Sequence, residues 1–272
     1  MRFAICNETF QGWSWEKTCQ FAAQLDYDGI EIAPFTLAED VRSLDAAARR
    51  EIRRTAERVN LEVVGLHWLL VSPKGLSVTA PDPAVRQATT DYLVALTDFC
   101  ADLGGRVMVF GSPKQRQIPD GETAETAAVR FMESLRPALD CASKHGITIC
   151  LEPLPPPEAN FLLTLEEAVT LMRRLNHPAA KTIFDVKSAS SEGRPLPDLI
   201  NDYAPYIAHV HANDANRRGP GFGETDFQPI LQALQTAGYA GFVSVEVFDY
   251  SPDPQTIASQ SLRYLQRCLS EA

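Results

Sequence analysis

The sequence predicts a closed (β/α)₈ barrel, and three observations carry the prediction. Strand-like and helix-like segments alternate eight times along 272 residues, with little between them. The strand-like runs are short, apolar and rich in β-branched residues, as strands buried on both faces of a parallel sheet are. Four of these runs also end in a group able to bind a metal: ITICLE at Glu152, AKTIFD at Asp185, YIAHVH at His211 and GFVSVE at Glu246. The rival fold is an open doubly wound sheet. It is weakened because no G-x-G-x-x-G follows the first strand and no G-x-x-x-x-G-K-[ST] occurs in the chain.

The elements follow in order. RFAICN is the first strand, and Ser14 caps an amphipathic helix through SWEKTCQFAAQLDY. GIEIA is the second strand. LDAAARREIRRTAERVN is a strong helix former whose basic run at 50–54 reads as a solvated face. LEVVGLH is the third strand, ending in His67, and RVMVF is the fourth, after a helix over 84–103. The remaining helices are expected at 122–145, 165–175, 195–204, 227–237 and 254–270, and the remaining strands at 147–152, 180–185, 206–211 and 241–246. No polar linker divides the chain, so residues 1–272 are read as one domain. The long loops, 68–83, 110–121, 153–163 and 212–226, all follow strands and therefore gather at the C-terminal face of a barrel. One of them, LEPLPPPEANF, is stiffened by consecutive prolines beginning beside Glu152.

Composition narrows the function classes. Apolar residues are 45% and charged residues 22%, an ordinary globular balance, and the formal charge of -10 argues against nucleic acid or an anionic membrane as partner. Six cysteines form no C-x-x-C pair and read as reduced thiols in a cytoplasmic protein. The opening MRFAICNETF offers no apolar run for secretion, and nowhere do apolar residues continue long enough to span a bilayer.

Strand ends of a barrel point into one mouth, so Glu152, Asp185, His211 and Glu246 would meet there. Three carboxylates and an imidazole suit Mn²⁺, Mg²⁺ or Co²⁺ better than a soft-ligand ion. Taken singly, a carboxylate after a strand is commonly a helix cap. That reading competes hardest for Asp185, where Ser188 and Ser190 would begin the next helix. It competes least for Glu152 and Glu246, which are embedded in apolar sequence.

The motifs LEP, FDVKS, HVHANDANRRGPGFGE and VSVEVF together resemble the xylose-isomerase-like barrel superfamily of sugar isomerases and epimerases. The H-x-H followed by N-R-R and P-G is similar to the ketose 3-epimerases, which act on tagatose and allulose. The resemblance implies one divalent ion, most often Mn²⁺, on Glu152, Asp185, His211 and Glu246. It implies that Glu152 and Glu246 are also the catalytic acid/base pair, that Arg217 and Glu158 contact substrate hydroxyls, and that the protein is a homodimer or homotetramer. One position departs from the pattern. Those epimerases carry a histidine three residues after the metal-binding Asp, where this chain has Ser188 beside Lys187. Both are therefore candidate substrate contacts.

Elementary chemistry leads to the same reaction type. A proton beside a carbonyl is removable when a chelating metal stabilises the enediolate, and a positioned carboxylate contributes about 10²–10⁴-fold per transfer. Two glutamates on opposite walls give epimerisation, and one alone gives aldose–ketose isomerisation. Two alternatives remain: dehydration of an inosose or keto-sugar on the same barrel, or a non-catalytic sugar-binding barrel.

Other residues carry paired readings. His67 is either a substrate contact or a core histidine. His209 is either a partner orienting a ligand or packed core, and Glu31 either reaches the mouth or forms an ion pair inside the barrel. Lys114 and Arg116 either grip a phosphorylated or carboxylated substrate or are solvated. Phe10, Trp13, Trp15 and Trp68 either wall the sugar or pack, and His145 and His177 serve as helix-end caps.

Overall fold

A computed structural model describes residues 1–271. Eight parallel strands close into a barrel in chain order: β1 (Arg2–Cys6), β2 (Gly29–Ile32), β3 (Glu62–Leu66), β4 (Val107–Phe110), β5 (Thr148–Leu151), β6 (Ala180–Asp185), β7 (Ile207–Ala212) and β8 (Phe242–Val245). β1 pairs with both β2 and β8, which closes the ring. Around it run α1 (Trp15–Gln24), α2 (Ala46–Glu57), α3 (Pro83–Leu103), α4 (Ala124–His145), α5 (Leu165–Leu175), α6 (Val186–Ala189), α7 (Leu196–Tyr203), α8 (Gln228–Thr236) and α9 (Pro254–Ser270).

Helix starts follow their caps. The side chains of Ser14, Asp45, Asp82, Thr123, Thr164 and Asp253 each accept a backbone N–H of the first turn. The sequence predicted eight helices, and the described residues form a ninth, the single turn α6 directly after β6. Its cap is Asp185, whose side chain accepts from the Ser188 amide. Close strand approach is secured at Gly65 on β3, where a Cβ would lie 1.8 Å from the Val107 carbonyl oxygen on β4.

The apolar faces of helices and strands form a continuous buried layer between ring and barrel. Among the described residues no helix is long and apolar enough to cross a membrane.

Candidate metal centre and active site

Parallel pairing brings the four predicted residues to one level at the C-terminal mouth. Asp185 ends β6 and is in register with His211 on β7. Glu152 and Glu246 lie one residue beyond β5 and β8. Their amides still donate to the neighbouring strands, to Phe110 O at 3.1 Å and to Ala212 O at 3.2 Å, which fixes where their side chains start. Each of the four offers a ligand atom within 4.8 Å of the others, and all four are buried.

His211 reveals how the cluster is oriented. Its Nε2 lies 3.2 and 3.3 Å from the carboxylate oxygens of Glu31 on β2. Its Nδ1 lies 3.2 Å from Glu246 Oε2 and 3.9 Å from Asp185 Oδ2, yet it makes no hydrogen bond. A buried, unpartnered imidazole nitrogen facing three carboxylates is a fit to a divalent cation. Glu31 is thus an internal ion-pair partner beneath the cluster. It also meets His209 Nε2 at 2.8 Å, so one carboxylate fixes both imidazoles of β7.

Around the carboxylates the environment is unequal. Burial, then the charges of Glu246 and Asp185, push Glu152 up to about 8. Burial and Glu246 also raise Asp185. Burial works to raise Glu246 too, but the charge of His211, with the hydrogen bond and charge of His67, holds it well below the ordinary carboxylate range. Burial likewise opposes the charged form of Glu31, and His209 and His211 overcome it, keeping Glu31 well below its usual value.

Two residues absent from the sequence reading complete the site. Asn213 donates from Nδ2 to Asp185 Oδ2 at 2.6 Å and Glu246 Oε2 at 3.2 Å, while its Oδ1 accepts from the Lys187 amide at 2.8 Å. It stands two residues after His211, and the period of two along a strand would have pointed to it. Glu8, just after β1, lies 2.9 Å from His67 Nε2. It ends a strand much as Glu152 does, and that signal was there to read.

The outer candidates divide. Glu158 and Arg217 line a cleft of about 340 Å³ above the cluster, together with Glu152, Glu246, Trp68 and Phe248. Lys187 Nζ binds Glu158 Oε1 at 2.6 Å and lies 4.6 Å over the Phe248 ring. Burial opposes its charge, but Asp185 and Glu158 keep it above the usual lysine value. Lys114 also lines the cleft. Ser188 is buried with its hydroxyl unpartnered, and its amide holds Asp185 Oδ1 at 2.7 Å.

His67 is fully buried between Glu8 and Glu246, with Nδ1 3.3 Å from Glu246 Oε1, so it positions that carboxylate. Arg116 calls for a correction. Arg116 is neither solvated nor a substrate grip. It is completely buried, and its Nη1 donates to the Glu152 carbonyl at 2.6 Å. A basic-looking loop thus supplies the donor that pins the backbone of Glu152.

The chain belongs to the xylose isomerase-like TIM barrel family, whose model matches residues 19–268. It is similar to D-psicose 3-epimerase of Ruminiclostridium cellulolyticum, 30% identical over 63% of this chain and 59% of that protein. Fructoselysine 3-epimerase of Escherichia coli is 20% identical over 92% of both chains. A crystal structure of D-psicose 3-epimerase in the presence of D-fructose superposes with a TM-score of 0.87, at 21% identity over 99% of each chain.

Proposed function

We propose that this chain is a divalent-metal-dependent sugar epimerase or isomerase that moves a proton next to the carbonyl of a ketose or keto-sugar. The observation that carries the reading is the buried convergence of Glu152, Asp185, His211 and Glu246 around an imidazole nitrogen without a partner. The activities named for its relatives support it. An ion such as Mn²⁺, Mg²⁺ or Co²⁺ held by these four residues would supply Lewis acidity toward the substrate's carbonyl and hydroxyl oxygens.

The chain's own groups account for the proton transfer. Glu152 and Glu246 are both placed to exchange a proton with carbon, one accepting it and the other returning one. They stand just beyond β5 and β8, so removal by one and return by the other inverts the carbon between them. A single glutamate serving neighbouring carbons gives isomerisation instead. Arg217, Glu158 and Lys187 hold hydroxyl oxygens at the lip, and Trp68 and Phe248 exclude water. The free thiols fit a cytoplasmic enzyme. Assembly as a dimer or tetramer belongs to the same proposal and is read by light scattering.

The test is deuterium incorporation from D₂O, with Mn²⁺ present, into a panel of ketoses, aldoses and keto-sugars. We expect label at one carbon of at least one sugar. Bound metal without exchange in any of them overturns the mechanism.

A further inference from the structure

The mouth holds a second cleft that the proton-transfer reading leaves unused. It measures about 520 Å³ and is walled by Phe10, Trp13, Trp15, Phe35 and Tyr250, with Glu8 at its base. That size lies within the range of small-molecule sites, about 300–1,000 Å³. The two clefts abut across Trp68. Its ring lies 6.1 Å from Phe35 of the second cleft and 6.2 Å from Phe248 of the first, while its Nε1 donates to Glu246 Oε1 at 3.0 Å. The backbone of Trp68 is left-handed, with φ of 52°, which is unfavourable for a bulky residue and is found where the surroundings enforce a placement.

Among the described residues, Glu8 is the only charged side chain lining the second cleft. One of its oxygens is taken by His67, and the other, Oε1, is buried with no hydrogen-bond partner. A buried carboxylate oxygen without a donor is costly unless a ligand supplies one. The missing donor is better a hydroxyl than an ammonium. Lys17 Nζ already lies 3.6 Å over the Trp13 ring and would repel a second cation. Aromatic walls with a neutral-donor requirement match a hydroxylated sugar ring, whose C–H faces stack and whose hydroxyls donate.

We propose that the substrate carries a second sugar ring, seated in this aromatic cleft, while its ketose or keto-sugar end reaches the four-residue cluster. The inference rests on the epimerase reading of the cluster and adds the substrate class, a glycoside or disaccharide rather than a free monosaccharide.

Deuterium exchange is compared for free ketoses and for keto-sugars bearing a glycosidic second ring. The two-ring substrates are expected to show kcat/KM at least about tenfold higher. Tyr250→Ala and Gln11→Ala, both lining the second cleft and outside the cluster, should lower that value about tenfold, mainly through KM, and leave free ketoses unchanged. Equal kcat/KM for one-ring and two-ring substrates overturns the proposal, as does an equal loss on both in the variants. Should no sugar exchange deuterium, the cluster reading fails and the cleft is judged by binding alone. Saturable quenching of tryptophan fluorescence by cellobiose or maltose, weakened by Tyr250→Ala, supports it. No saturable quenching overturns it.

Discussion

Glu246 and Glu152 offer the same carboxylate to the same mouth from walls of opposite character. Glu246 lies within hydrogen-bond reach of His67, Trp68 and Asn213, gathered from the ends of β3 and β7. Glu152 accepts no hydrogen bond through its carboxylate among the described residues. Its Oε2 rests instead against the bare Cα of Gly111, and Arg116 secures only its carbonyl. The contrast teaches that proton affinity here is set by the wall rather than by the residue type. Donors and an imidazole favour the ionised form of Glu246, and burial beside two like charges disfavours it for Glu152.

Removing the metal is the most severe test, because it takes away what both walls serve. Chelation is expected to abolish exchange, and Mn²⁺ to restore it. The melting temperature should fall as well, since an ion at 100 times its Kd adds about 2.7 kcal/mol.

Next come the individual glutamates. Glu152→Gln and Glu246→Gln should each lower kcat by about 10²–10⁴-fold, measured by deuterium exchange. Their stabilities should separate. Glu246→Gln sets an amide against several donors and costs about 1–3 kcal/mol in denaturant titration, whereas Glu152→Gln relieves like-charge repulsion and stabilises the metal-free protein above pH 8. Equal stability changes would break the comparison.

Gly111→Ala probes the bare wall directly. A Cβ there would lie 2.0 Å from Glu152 Oε2, so the carboxylate must move. A displacement of that kind costs on the order of 10²-fold in kcat, with the circular dichroism spectrum unchanged.

The smallest effect is in pH. Because the Glu152 carboxyl is raised from 4.5 to about 8, the metal-free folded state holds a proton that the unfolded chain has lost across that window. Its contribution to stability therefore falls as pH rises from 4.5 to 8. Glu246, depressed, works the other way: it contributes stability above 4.5 that is lost as pH falls toward its folded value. Metal addition at pH 7 should release about one proton, seen by calorimetry in buffers of different ionisation enthalpy, and Glu152→Gln should remove that release.

Asp185 shows why reading single residues fell short. Cap and ligand were rival readings, yet the residue is both: Oδ1 caps α6 and Oδ2 faces Asn213 in the cluster. A local pattern cannot state that one side chain serves two neighbours. Arg116 shows the converse, since nothing in a loop of lysine, arginine and glutamine tells that one guanidinium turns inward to satisfy the distant carbonyls of Glu152 and Leu162.

The sequence by itself determined the barrel and the four residues at its mouth. Strand period, β-branched content and helix caps are local properties, and the alternation of elements leaves few topologies. Tertiary structure decided the proton affinities of Glu152 and Glu246, the enclosure of His67, the roles of Glu8 and Asn213, and the division of the mouth by Trp68. Each depends on groups far apart in the chain meeting within a few ångströms, where burial and charge act through space rather than along the sequence.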